Sequence, residues 1–69
     1  MRYAVVIEKG ATSYGAYVPD LPGCVVVAES LEEVSNLIRE AIAFHIEELQ
    51  EDSFAIPEPV YICEYVEAL

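Results

Sequence analysis

Three short runs of strand-forming residues open the chain, and a helical period follows them. Residues 2–8, Arg-Tyr-Ala-Val-Val-Ile-Glu, are rich in β-branched and aromatic side chains and predict a first strand. Lys9-Gly10-Ala11-Thr12-Ser13 has the length and residue types of a hairpin turn, and Tyr14 to Val18 predicts a second strand. Pro19-Asp20-Leu21-Pro22-Gly23 must end it, because two prolines lack backbone donors and Gly23 permits a positive φ. Cys24 to Glu29 then predicts a third strand.

Ser30 marks the change of period. With Glu33 three residues on, it forms a capping box, and Glu32 and Glu33 sit where the helix dipole favours negative charge. From there to about Glu51, Leu31, Val34, Leu37, Ile38, Ala41, Ile42, His45 and Leu49 fall on one broad helical face. Asp52-Ser53 begins the exit, Pro57 and Pro59 block further helix, and Val60 to Val66 predicts a fourth strand.

The expected fold is therefore a single α+β domain over residues 1–69, of order β-β-β-α-β. Short connections make the first three strands an antiparallel meander. The helix covers one face and, by a right-handed crossover, returns the fourth strand parallel to the first. Placing that strand beside the first gives the order 3-2-1-4. Cys24 and Cys63 would then lie on opposite edges, roughly 14 Å apart at ~4.8 Å per strand. That is beyond the ~7 Å reach of a disulfide, and both are expected to be buried thiols.

Strand alternation raises a second issue. Tyr3, Val5 and Ile7 oppose Ala4 and Val6; Cys24, Val26 and Ala28 oppose Val25 and Val27; Val60, Ile62 and Val66 oppose Tyr61, Cys63 and Tyr65. Both faces are largely apolar, but one helix can cover only one of them. The uncovered face would exceed the few hundred Å² of apolar patch that monomers tolerate. A homo-oligomer, dimer or tetramer, or a bound partner is expected to cover it, with Tyr3, Val5, Ile7, Tyr61 and Tyr65 as the candidate contact face.

Composition sharpens this. The chain is 55% hydrophobic, and its 69 residues can bury only ~60% of the surface of the unfolded chain. Its formal net charge is −10, from 13 acidic and 3 basic residues. Phosphate contacts need Lys and Arg, so direct nucleic-acid binding is not expected. A basic partner would be drawn in instead, although acidity also keeps an apolar chain in solution. No run approaches the ~20 apolar residues of a membrane span, and the N-terminal run is too short for a signal peptide. The expected location is the cytoplasm, with no membrane contact.

Catalytic chemistry is sparse, and no catalytic residue, cofactor or metal ligand is expected. His45 is the lone histidine and lies on the apolar helix face, where a packed core role outweighs that of a base. Glu8, Asp20 and Glu29 lie near strand ends, but no spacing marks them as a metal site. Asp20 is expected to cap amides within its own turn.

Tyr14-Gly15-Ala16-Tyr17-Val18-Pro19-Asp20-Leu21-Pro22-Gly23-Cys24 resembles the signature of HicB-like antitoxins. Ser30-Leu31-Glu32-Glu33-Val34, the stretch Glu40 to Leu49, and Ile56-Pro57-Glu58-Pro59 extend the likeness over essentially the whole chain. The resemblance implies a partial ribonuclease-H-like fold without nuclease activity. It also implies a partner, a small basic HicA-type toxin that cleaves mRNA and whose active surface the antitoxin covers. The catalytic histidine of that pair belongs to the toxin, so His45 inherits no role. Many family members carry a C-terminal DNA-binding domain, and no such segment is expected within these residues. The function expected is antitoxin-like protein binding. A stand-alone oligomeric scaffold or regulator with another partner is the alternative, and a degenerate metal-dependent nuclease ranks below both.

Overall fold

The computed structural model describes all 69 residues. It forms three antiparallel strands followed by one long helix: β1 (Val6–Lys9), β2 (Tyr14–Tyr17), β3 (Val25–Ala28) and α1 (Leu31–Glu51). The sheet order is β1-β2-β3. Val6 faces Tyr17 and Ile7 faces Ala16 across the first pair, while Gly15 faces Val27 and Ala16 faces Val26 across the second. The meander and the helix are as the pattern predicts, though each strand is shorter.

Turn chemistry explains the shortening. Val18 still lies opposite Cys24 and donates its amide to the Cys24 carbonyl, one step past the last β2–β3 pair. Pro19 has no N–H, and the chain folds back at once. Residues 2–5 therefore outrun any neighbouring strand.

The fourth strand is a correction. Residues 60–66 carry no regular strand structure, and all of them are exposed. The segment passes beside residues 2–5, with Tyr61, Ile62 and Cys63 near Tyr3 and Val5. It builds no ladder there, because the amides of Val60 and Tyr61 donate to the Asp20 carboxylate. The observed sheet thus has no parallel pair and no order 3-2-1-4. Cys24 and Cys63 are both free, but only Cys24 is buried and Cys63 is exposed, contrary to the expected buried pair.

The core is small. Ala16, Val18, Leu21, Cys24, Ala28, Val34 and Ile38 form it, and Tyr3, Val5, Tyr14, Val26, Ala41 and Ile42 pack around it. Helix α1 lies across β3 and β2, leaving β1 uncovered. At ~1.5 Å per residue a helix of this length spans ~31 Å, against ~13 Å for a four-residue strand. Its distal half therefore overhangs the sheet, which is why Phe44 remains 63% exposed.

Both helix ends obey capping rules. The Ser30 hydroxyl accepts from the Glu33 amide at 3.1 Å. At the other end, Phe54 N–H donates to the Leu49 carbonyl and Ser53 N–H to the Gln50 carbonyl, the pairing of a Schellman cap. The left-handed position is filled by Ser53, with φ 59°, where glycine would be unstrained. Ser53→Gly is accordingly expected to stabilise the fold by about 0.5–1 kcal/mol. A higher denaturation midpoint with unchanged slope would show it.

Candidate functional site: the signature loop and the open sheet face

The segment Pro19–Gly23 is two consecutive turns. Leu21 N–H donates to the Val18 carbonyl at 3.0 Å, and Cys24 N–H donates to the Leu21 carbonyl at 3.0 Å. The second turn has Pro22 and then Gly23 at its centre, with Gly23 at φ +87°. Proline followed by a positive-φ glycine is the signature of a type II turn. Between the two turns Leu21 drops into the core and has no exposed surface.

Asp20 does more than the sequence implies. It is buried, at 8% exposure. Its two carboxylate oxygens accept from Val60 N–H at 3.1 Å and Tyr61 N–H at 3.3 Å. It therefore caps amides of the C-terminal segment, some forty residues away, and not those of its own turn. The Tyr3 hydroxyl adds a third tie, donating to the Pro57 carbonyl at 2.6 Å. Together these bonds pin the segment against the N-terminal residues.

Burial raises the Tyr3 phenol above its ordinary 10.0, and the charges of Asp20 and Glu58 add to the shift. The folded state therefore holds this proton more tightly than the unfolded chain. Tyr3 stabilises fully below the ordinary value, and that contribution is lost as pH rises from it through the raised folded value. An alkaline absorbance titration is expected to show one tyrosine ionising late, and Tyr3→Phe to remove that component. Five tyrosines titrating together would contradict it.

The residues expected on one contact face divide between surfaces. Tyr3 and Val5 pack against the core. Ile7 shares their side of the sheet, opposite Ala16, and is 39% exposed because α1 does not reach β1. Tyr61 and Tyr65 are exposed on the C-terminal segment, at 58% and 97%. The face that no element covers carries the other parity: Val6, Tyr17, Val25 and Val27, with Glu8 and Gly15 between them. Val25 and Val27 are 62% and 69% exposed. A shallow depression of about 350 Å³ lies there over Gly15, walled by Tyr17, Val25 and Val27. The sequence signal for this face was a glycine inside a strand.

His45 is half-buried, not part of the core. It lines a surface depression with Glu48, Leu49, Asp52 and Phe54. No group of three or more His, Cys, Asp or Glu side chains is placed to hold a metal ion. No helix is long and apolar enough to cross a membrane. Burial raises the Cys24 thiol above its ordinary 9.0, which suppresses the reactive thiolate. A thiol reagent is expected to label Cys63 quickly in the native protein, and Cys24 only on unfolding. Equal rates at both would contradict this burial.

Charge is divided as unevenly as apolar surface. Residues 31–69 hold ten acidic residues and one basic residue, while residues 1–30 hold three acidic and two basic. The helix acids Glu32, Glu33, Glu40, Glu47, Glu48 and Glu51 are all exposed. The helix and the segment after it are strongly anionic, and the residues that form the sheet are nearly balanced in charge.

Comparison with known proteins places this arrangement. The chain is 39% identical over 66 residues to a 14.9 kDa protein of the rep-hol intergenic region of Haemophilus phage HP1, covering 96% of this chain and 50% of that protein. It is 44% identical over 55 residues to a UPF0150 protein of Helicobacter pylori, covering 80% of this chain and 76% of that protein. A UPF0150 protein of Archaeoglobus fulgidus is 44% identical over 48 residues, 68% of this chain and 70% of that protein. Among solved structures, a chain of a HicA3 and HicB3 toxin-antitoxin complex superposes with a TM-score of 0.71 at 33% identity. That match covers 83% of this chain and 66% of the other. The chain thus spans half of the phage relative and about two thirds to three quarters of the others. A family model described as HicB_like antitoxin of bacterial toxin-antitoxin system matches residues 3–69, and the chain belongs to that HicB-like antitoxin family.

Proposed function

We propose that this chain acts by binding, as the part of an antitoxin that covers the basic, mRNA-cleaving surface of a HicA-type toxin. Family membership supports the antitoxin role. The observation that carries the masking step is the segregation of charge: ten of the 13 acidic residues lie in residues 31–69, on the helix and the segment after it. A toxin that grips RNA must present Lys and Arg to phosphate. An exposed anionic helix is complementary to such a surface, and long-range attraction speeds their encounter. No chemistry by this chain is required, and the place of action is the cytoplasm, where mRNA is cleaved.

The test is co-expression with the product of the gene adjacent to this chain's own. Growth arrest by that protein alone, relieved when both are made, is the expected result. A toxic neighbour that the chain neither binds nor relieves would overturn the proposal.

A further inference from the structure

We propose that the recess over Gly15 on the open sheet face is a binding site for an arginine side chain of a protein partner, with Glu8 receiving the guanidinium and Tyr17 stacking on it. The floor of the site is Gly15. Glycine weakens a strand interior, and its presence there signals a bulge or the close approach of another group. No bulge exists, because Glu8, Gly15 and Val27 stand opposite one another in register. No local crowding demands glycine either. A Cβ built at Gly15 would meet only the Val26 carbonyl oxygen, at 3.9 Å, an ordinary contact. Its φ lies outside the left-handed region, which among the glycines Gly23 alone adopts. What the missing side chain opens is a lane across the sheet from Val27 to Glu8.

The walls select the occupant. Glu8 and Val27 flank Gly15 in one row, and Val6, Tyr17 and Val25 form the next row on the same face. Glu8 is exposed, and it is the one charged side chain lining the recess. A carboxylate at the end of an apolar lane repels nucleic-acid phosphate and suits a cation on a long apolar stem. Arginine has that form. Its methylenes can lie along Val27 and across Gly15, while its planar fork donates to the carboxylate and its face stacks on the Tyr17 ring. Lysine would supply the charge without the fork or the flat face. The recess is shallow, so it cannot enclose a free small molecule, whose sites bury most of the ligand. The arginine is therefore delivered by a chain whose neighbouring apolar residues also cover Val25 and Val27, which are 62% and 69% exposed.

This inference does not depend on the toxin-masking proposal, because α1 packs on the other face, that of Ala16 and Val26, and the test uses no toxin. The probe is the blocked tripeptide acetyl-valyl-arginyl-valyl amide, titrated into the whole 69-residue chain and followed by backbone amide resonances. Saturable shifts at Glu8, Gly15 and Val27 are the expected result. The citrulline counterpart keeps the shape without the charge and is expected to bind roughly 10-fold more weakly. Glu8→Gln is expected to weaken the arginine peptide about 3-fold and to leave the citrulline peptide unchanged. Gly15→Leu fills the recess and is expected to abolish the shifts while keeping the far-ultraviolet circular dichroism of the parent. Absence of saturable shifts, equal binding of the two peptides, or a Glu8→Gln chain that binds arginine as tightly as wild type would overturn the proposal. So would recess amides already shielded from a soluble paramagnetic reagent in the chain alone, which would assign the face to a second copy.

Discussion

Leu21→Ala is expected to bring the domain to the edge of unfolding. Leu21 sits between the two turns of the signature loop with none of its surface exposed. Its core neighbours include Val34 and Ile38 from the helix and Val18 and Cys24 from the loop's own flanks. Truncating a fully buried leucine removes transfer free energy and leaves a cavity, at a cost of about 3–4 kcal/mol. The whole domain, at ~0.05–0.15 kcal/mol per residue, holds only roughly 3–10 kcal/mol. With seven residues in the core, little redundancy exists to absorb the loss. A thermal melt followed by circular dichroism is expected to shift down by ~15–25 °C or to lose cooperativity. A shift of under ~5 °C would mean that the loop collapses around the gap and that Leu21 is not a keystone.

Asp20→Ala is expected to act differently, releasing the C-terminal segment while the core survives. Two amide donors lose a charged acceptor. Hydrogen bonds to charged groups contribute about 1.5–3 kcal/mol each. Val60 and Tyr61 are exposed, so water can replace part of that, and a net cost of about 2–3 kcal/mol follows. Limited proteolysis should then cut within residues 55–69 far faster than in wild type, while the sheet and helix resist. Asp20→Asn, which keeps one acceptor oxygen, should fall between the two. Equal cleavage of Asp20→Ala and wild type would show that the carboxylate does not hold the segment. Tyr3 supplies the remaining tie through the Pro57 carbonyl, so a double change with Tyr3→Phe should release it further.

These two residues show what a sequence can and cannot disclose. That Pro19–Gly23 turns sharply is written in its prolines and in Gly23, and that Ser30 caps a helix is written in its spacing to Glu33. Both are local rules, and both match the structure. The partner of Asp20 is not local. A carboxylate in a turn can cap its own amides or those of any segment brought near it, and only the fold brings Val60 and Tyr61 there. The predicted fourth strand failed for the same reason. Val60 to Val66 has strand-like composition, but a strand needs a ladder, and the first two donors of this one face a side chain.

The two sheet faces show a second limit. Alternation separated Tyr3, Val5 and Ile7 from Ala4 and Val6. It could not say which set faces the helix, since both are apolar. The helix lies over β2 and β3 on the side of Ala16 and Val26, which takes Tyr3 and Val5 inward and leaves Val25 and Val27 uncovered. A reading of apolar strands on both faces was enough to predict that one helix leaves an apolar face open. The recess over Gly15 was not predicted. Charge segregation, by contrast, needs only the order of residues, because the long helix carries most of the acids together.

The proposed mode of action is electrostatically guided binding of a basic toxin surface. Isothermal titration of the purified product of the adjacent gene with this chain, repeated across a range of salt concentrations, tests it most directly. The expected result is saturable binding that weakens steadily as salt rises, as contacts between unlike exposed charges are screened over a Debye length of ~10 Å at 0.1 M and ~3 Å at 1 M. Neutralising Glu40, Glu47 and Glu51 to glutamine should weaken it further at low salt and flatten the salt dependence. Absence of binding at low salt, or binding unaffected by both salt and these substitutions, would contradict the account.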